Sequence, residues 1–510
     1  AESPRSCAMA TAPRQRPEER RLLEWCRLQG VVLDGVKLDG RRLVATRDLA
    51  VGHCAISVTK AAVLSTDQAM ASDIGQRILA QPGLLVVQDL ERQRRLWLAG
   101  ARHLDLAQGA VTRRSVLYAF LIHLRGSGGS WGAYADALPK SYGSPFTWAT
   151  HELGAELRDE VSKWREHLDG QYAALFPAMS VAEPELFPAE VFTREAWMWA
   201  HLSYETRCFP KGGAASGSGL EADEDEDGVL VPLVDMLNHD HGRCQMGWAS
   251  GANAAGGAWR MCVHVAVCRG EELLYSYGRK PNAKLFWYGF AQFDNPSETV
   301  TLCAVRLAAL LRRTAPRRVA HTRLASLSAA FLLLDQERSW RYGPLMRRLR
   351  RELGALLEEG GGVCVSHTEP LPAPLLALAR AAHMTWRESL AVGPPSGPPL
   401  AQALCQLHCP GLSRRTERRA QAELGRVLAA QGARIVSQAR GYAGSAMEQA
   451  SRQGEDPMGV LERLVEEARR GAISVGDGEY AVSAHDCQLA GAGSQLLVLM
   501  AAMESVQALC

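Results

Sequence analysis

The chain has 510 residues, enough for two or three domains and a large buried core. A formal net charge of +2 excludes bulk electrostatics as a reason to bind nucleic acid, and no apolar run reaches the roughly eighteen residues of a membrane-crossing helix. The thirteen cysteines are scattered and odd in number, which points to reduced thiols inside a cell and not to a disulfide framework.

Residues 1–30 are rich in Arg, Ala and Pro but include Glu2, Glu18 and Glu19, and contain no signal-peptide apolar core. They read as a disordered or helical lead-in, with a transit-peptide remnant as the alternative. Residues 31–65 form short β-rich segments separated by Gly35, Gly40 and Gly52. From about 70 to 205 the pattern is helical. Leu153, Leu157, Val161, Trp164 and Leu168 make one apolar stripe. Trp131, Tyr134, Tyr142 and Trp148 are expected to pack in the core.

Residues 211–228 are of low complexity and strongly acidic, the composition of a flexible surface insertion. The sharper reading is that Asp223–Asp227 attracts a basic substrate segment. The stretches 126–130 and 251–257 look like further surface loops. Val231–Val234 then predicts a buried strand that delivers Asp235, Asn238 and His239 at its end. A hairpin is expected next: Val263, Val265 and Val267 alternate on one arm, Arg269–Glu272 turns the chain, and Leu273–Tyr277 returns.

Beyond Asn295-Pro296 the pattern is almost wholly helical to Cys510. It breaks at 393–399, and Glu455-Asp456-Pro457 opens one helix. Arg312, Arg313, Arg317 and Arg318, with Arg347, Arg348, Arg350 and Arg351, are read as solvated faces, or as a site for an acidic partner. Cys405, His408 and Cys409 form the one tight cluster of metal-ligating types. It lacks a second pair, and no metal is expected.

Four motifs stand in order. They are Asp235-x-x-Asn238-His239, Gly270-Glu271-Glu272-x-x-x-Ser276-Tyr277-Gly278, Asn282-x-x-Leu285 and Tyr288-Gly289-Phe290 followed by Asn295-Pro296. Together they resemble the SET domain of protein methyltransferases, in its Rubisco large-subunit methyltransferase branch. Residues 130–148 are close to the family's S-x-W-x-x-Y-x-x-x-L-P-x-x-Y-x-x-P-x-x-W, and residues 31–65 resemble its opening meander, x-G-x-G-L-V-A followed by R-D-[IL]-x-x-G.

The resemblance implies an α+β chain. A β-rich SET core at 31–298 is split by a helical insertion at about 70–205 and carries the acidic loop 211–228. An all-α substrate-binding lobe follows at 299–510. The implied cofactor is S-adenosyl-L-methionine. It would be bound by Asp39, Gly40, Arg41, Arg207, Asn238, His239 and Tyr277. Tyr277 matches the catalytic tyrosine, and Arg207, Lys211, Asp235 and Tyr288 match positions facing the protein substrate.

The chain departs from the family pattern in three places. Arg42 stands at the meander's second glycine, Thr206 stands for a serine, and the interval from Asn282 to Tyr288 is one residue short. On a helix that is about 100° of rotation, so the segment must re-register for Tyr288 to face the site. The resemblance implies an intracellular, monomeric protein-lysine N-methyltransferase acting on a non-histone protein. Transfer to histidine is an alternative, since imidazole is largely neutral near pH 7. A catalytically silent SET-fold binding module is the other.

Overall fold

The computed structural model describes residues 16–81, 86–87, 111–125, 129–150, 153, 155–210, 228–249, 258–292, 295–302, 363–383, 388, 391–392, 404, 409, 412–443 and 484–507. The acidic insertion, most of the Gly/Ser and Gly/Ala loops, both arginine clusters, the 393–399 break, the helix expected at 455 and residues 405–408 lie outside them. The chain divides into two compact units. One is built chiefly of Ala1–Arg279 with Trp287–Gly289, and the other of most of the chain from Lys280 on.

In the first unit the elements run α1 (Pro17–Leu28), β1 (Val32–Leu33), β2 (Val36–Asp39), β3 (Arg42–Ala45), β4 (Cys54–Val58), β5 (Leu64–Ser65), α2 (Thr66–Ala71), α3 (Asp73–Leu79), β6 (Val86–Val87), β7 (Val111–Thr112), α4 (Arg113–Leu124), α5 (Gly132–Ala137), α6 (Ala155–Ala182), α7 (Arg194–Glu205), β8 (Cys208–Phe209), β9 (Val229–Leu230), β10 (Met246–Trp248) and β11 (Trp259–Val263). Local chemistry starts these helices. Ser65, Ser72, Thr112 and Thr193 each accept a backbone N–H of the first turn of the helix that follows. Pro17 opens α1, where its missing N–H has no helical partner to lose.

The strands form small sheets in the orders β1-β4-β11-β10, β5-β9-β8, β2-β3 and β6-β7. The helical insertion packs as expected. Leu153, Val161 and Leu168 are buried, and Trp197 is the largest fully buried side chain, with the rings of Phe176 and Tyr118 at 5.2 and 5.5 Å.

Two local expectations are corrected. The strand ahead of Asp235 is only β9. Val231–Leu233 turns, and a 3₁₀ turn, Val234–Met236, carries Asp235. Pro232 has no N–H to continue a ladder, and Leu233 adopts φ +69°, a region an L side chain rarely visits. The hairpin of 261–277 does not form either. β11 ends at Val263, Val265 is 56% exposed, and the two arms pair elsewhere. Val267 bridges Leu49, and Leu273 N donates to Leu43 O at 2.8 Å. β3 offers an open edge that takes the second arm, and Leu49, beyond β3, takes the first.

In the second unit the elements are α8 (Asn282–Leu285), β12 (Thr299–Leu302), β13 (Val363–Ser366), α9 (Ala373–His383), α10 (Arg414–Ala443) and α11 (Ala484–Gln507). α10 packs along α9 and α11. The antiparallel β12–β13 pair interrupts the expected all-helical run. Its β-branched residues alternate, and Val300, Leu302, Val363 and Val365 are buried. Arg380, 2% exposed, donates to Glu417 at 2.9 Å and to Leu404 O at 2.8 Å, so its buried charge is both paired and hydrogen-bonded.

Candidate active site

Asp235 is the centre of the polar cluster. Its side chain is wholly buried, and Tyr134 Oη donates to Oδ2 at 2.9 Å. Arg207 Nη1 lies 3.5 Å from the same oxygen and donates to the Asp235 carbonyl at 2.7 Å. Burial pushes the Asp235 carboxyl above its ordinary value, against the pull of Arg207 and Tyr134. Burial also works against the charge on Arg207. Tyr142 and Asp235 more than offset it, so the guanidinium stays charged. Arg41 faces the same cluster, and burial followed by repulsion from Arg207 lowers its pKa.

Three atoms of this cluster are shielded from solvent and have no hydrogen-bond partner among the described residues: Arg41 Nη1, Arg207 Nε and Asp235 Oδ1. Buried polar atoms are normally paired, since an orphan costs about 1–3 kcal/mol. Two guanidiniums beside one carboxylate leave an excess of positive charge. An anionic ligand group would relieve it.

Tyr277 acts electrostatically on Arg207 of this cluster. Segment 271–277 is held between β3 and an isolated bridge at Asn238. Asn238 bridges Leu274 in parallel, and Tyr275 N donates to Asn238 O at 2.9 Å. This pairing presents Tyr277 to Leu237 and His239. Its hydroxyl donates to Leu237 O at 2.8 Å, its N–H donates to His239 Nδ1 at 3.0 Å, and its ring stacks on His239 at 5.0 Å. The Tyr288 ring lies 5.4 Å from that of Tyr277.

A cleft of about 250 Å³ opens at Asn238 and His239 and is also lined by Arg243, Gln245, Glu272 and Leu274. Asn238 Nδ2 donates to Glu272 Oε1 at 2.6 Å, which fixes the amide at the cleft wall. Among the described residues no group of three or more His, Cys, Asp or Glu is placed to hold a metal.

The structure thus brings Arg41, Arg207, Asp235, Asn238, His239, Tyr277 and Tyr288 into one unit, with Asp39 and Gly40 on the turn that carries Arg41. Lys211 lies outside the described residues. The departures from the family pattern find local answers. Arg42 points outward, 55% exposed, and pairs with Asp39 at 3.5 Å. Thr206 caps α7, its hydroxyl donating to Leu202 O at 2.7 Å. The short interval passes from α8 into a 3₁₀ turn, Phe286–Tyr288, whose winding of about 120° per residue regains about 60° of the roughly 100° lost, and the Tyr288 ring still meets that of Tyr277.

Asn282 and Asn295 are structural. Asn282 Nδ2 donates to Gln292 O and to Glu298, and Asn295 Nδ2 donates to Lys280 O at 2.9 Å. Tyr134 and Tyr142 are the residues that sequence reasoning missed. Both were assigned to packing, yet the Tyr134 hydroxyl holds Asp235, and Tyr142 donates to Ser203 beside Arg207. The available signal was that a buried phenol needs a partner.

No family profile matches the chain. Over 189 residues it is 28% identical to the ribosomal lysine N-methyltransferase set10 of Schizosaccharomyces pombe, covering 35% of this chain and 31% of that protein. Over 205 residues it is 24% identical to ribosomal lysine N-methyltransferase 1 of Saccharomyces cerevisiae, covering 33% of each. The matched segments span about a third of these curated relatives. Among solved structures, the SET domain of LSMT bound to lysine and AdoHcy aligns with 97% of this chain and 92% of its own, at TM-score 0.55 and 16% identity. Rubisco LSMT bound to AdoMet aligns over the same shares at TM-score 0.53 and 17% identity. The fold is therefore the SET fold of the Rubisco methyltransferase type.

Proposed function

We propose that this SET-fold chain is an S-adenosyl-L-methionine-dependent N-methyltransferase that modifies a lysine of a non-histone protein. The observation that carries the reading is the pairing of Tyr277, anchored on Leu237 O at 2.8 Å, with a buried cluster holding polar atoms that lack partners. The two yeast relatives bear the name of ribosomal lysine methyltransferases, so ribosomal proteins are the substrate class to try first. The chain would act inside the cell, as a monomer.

The residues present fit the cofactor. Arg41 and Arg207 would meet its carboxylate, and Asn238 and His239 would line the cleft that receives the remainder. When bound, the cofactor supplies a methyl group on a positively charged sulfur. Everything else falls to the chain. A lysine ammonium has an ordinary pKa near 10.4 and must lose a proton before it can attack carbon. A buried channel beside fixed positive charge favours that loss.

Asp235, pushed up by burial, offers Oδ1 as acceptor to the ammonium and suits a transient proton. The Tyr277 hydroxyl gives its single proton to Leu237 O, so toward reactants its oxygen acts as an acceptor that orients the amine and the methyl hydrogens. Tyr288 faces Tyr277 and would flank the alkyl stem of the lysine. Alignment of this kind contributes several kcal/mol, up to about 10. Lysine is preferred over histidine because a cluster that disfavours an ammonium is superfluous for an imidazole already neutral near pH 7.

The test is transfer of a labelled methyl group to a ribosomal protein fraction, with the methylated amino acid identified after hydrolysis. Methyl-lysine is the expected product. Tyr277→Phe should lower the rate by about a hundredfold or more while retaining cofactor binding. Methyl-histidine would transfer the reading to the other nucleophile. Wild-type turnover in Tyr277→Phe would remove Tyr277 from the chemistry.

A further inference from the structure

Cys54 and Cys262 lie directly opposite one another on the antiparallel strands β4 and β11. Their placement depends on a β-bulge. Met261 pairs with Ile56, but its neighbour Cys262 pairs with Cys54, so Ala55 is the additional residue on β4. Side chains alternate across a strand, and Ser57 and Arg260 pair on the outer face. Cys262, two residues on from Arg260, shares that face. Cys54 is three residues from Ser57 and would point inward in a regular strand. The bulge at the wholly buried Ala55 returns it to the outer face, and both cysteines are partly exposed.

The backbone defines the distance. Val263 N donates to His53 O at 2.9 Å, the flanking bond of a non-hydrogen-bonded pair. Such pairs hold their Cα atoms about 4.5 Å apart, inside the range a disulfide bridges. The thiols are near enough for Cys54 to raise the pKa of Cys262, and Cys54 Sγ donates to Ile56 O at 3.6 Å. Both are reduced.

We propose that Cys54 and Cys262 form a redox-modification site, a cross-strand dithiol that a hydroperoxide closes to a disulfide. One thiolate attacks the O–O bond, forming a sulfenic acid and releasing hydroxide. The second thiol attacks that sulfur, forming S–S as water leaves. The peroxide takes up two electrons and the two sulfurs lose them. Burial, then Cys54, raises the Cys262 thiol above its ordinary value, so closure is slow at neutral pH and favoured by a strong oxidant. The bond would tie a strand that precedes the helical insertion to one that follows it. This constrains the unfolded chain and stabilises the oxidised protein. The inference stands independently of methyl transfer, since neither cysteine contacts the polar cluster.

The test treats the full chain with hydrogen peroxide, alkylates the remaining thiols and maps peptides without reduction. The expected result is a Cys54–Cys262 cross-linked peptide, restored to two thiols by dithiothreitol, and a melting temperature above that of the reduced protein. Cys262→Ser should lose both the cross-link and the increase, while Cys54→Ser in the reduced state should keep the methyl-transfer rate unchanged. Recovery of both cysteines as alkylated thiols, their conversion to sulfinic or sulfonic acid without a cross-link, or pairing of either with another cysteine would each overturn the proposal. The map is made on the unmutated protein, so a serine variant that fails to fold leaves the test intact.

Discussion

Tyr134 joins the packing of the insertion to the chemistry of the site. Its ring stacks with Trp25 at 6.4 Å and meets Trp131 at 6.0 Å, while its hydroxyl supports a carboxylate with no exposure to water. Tyr134→Phe keeps the ring and removes the donor, leaving Asp235 Oδ2 with Arg207 alone. Urea denaturation should show a loss of about 1–3 kcal/mol, the usual penalty for stripping a partner from a buried polar atom. A loss below about 0.5 kcal/mol would mean that Arg207 alone holds the carboxylate. Cys26 lies near the same charge, and burial, then Asp235, raises its thiol to about 12. It serves as an apolar filler on the buried face of α1.

At the scale of elements, the short helix α8 is held by a buried acid. Glu298 accepts from Asn282 Nδ2 at 2.7 Å and from Thr299 N at 3.1 Å. Burial outweighs these donors and raises its pKa to about 7. A carboxyl raised in the folded state binds its proton more tightly there than in the unfolded chain. Its contribution is therefore fully present below about pH 4.5 and is lost as pH rises through about 7. The span corresponds to something on the order of 3 kcal/mol. Melting temperature should fall from pH 5 to pH 8 in the wild type, and Glu298→Gln should flatten that slope even though the amide forfeits a hydrogen bond. An unchanged slope in the variant would place the titrating group elsewhere. The strained Leu233 and the 3₁₀ turn behind it are a second such device. A left-handed residue interrupts the strand so that Asp235 turns inward among aromatics.

For the molecule as a whole, the Arg42 departure and the family-matching Asn238 give opposite predictions. Cofactor at a hundred times its Kd should stabilise the folded chain by about 2.7 kcal/mol, read as an increase in melting temperature. Asn238→Ala removes the amide's hydrogen bond to Glu272 at the cleft wall and should lose most of the increase. Arg42→Gly should keep it, because that side chain faces solvent and, among the described residues, pairs with Asp39 alone. A larger increase in Arg42→Gly than in the wild type would show that Arg42 obstructs the site and would revive the silent-module reading.

What the sequence by itself determined were the features written in local chemistry. Gly278, at φ +98°, follows Tyr277 as the motif requires, hydroxyl residues cap the helices, and the apolar stripe of α6 marks its buried face. The order of the motifs was enough to indicate the SET fold, and it named Asn238, His239 and Tyr277, which the fold brings together. Only tertiary structure decided which edge the arms of the expected hairpin would join, because strand pairing is a contest among edges far apart in sequence. Only it showed that Arg42 turns outward, that Tyr288 meets Tyr277, and that Tyr134 belongs to Asp235. Each of those outcomes is a direction in space, set by a distant neighbour for Tyr134 and by local pairing or winding for Arg42 and Tyr288. A one-residue change in backbone winding, as at Ala55 or at Phe286–Tyr288, is enough to choose it.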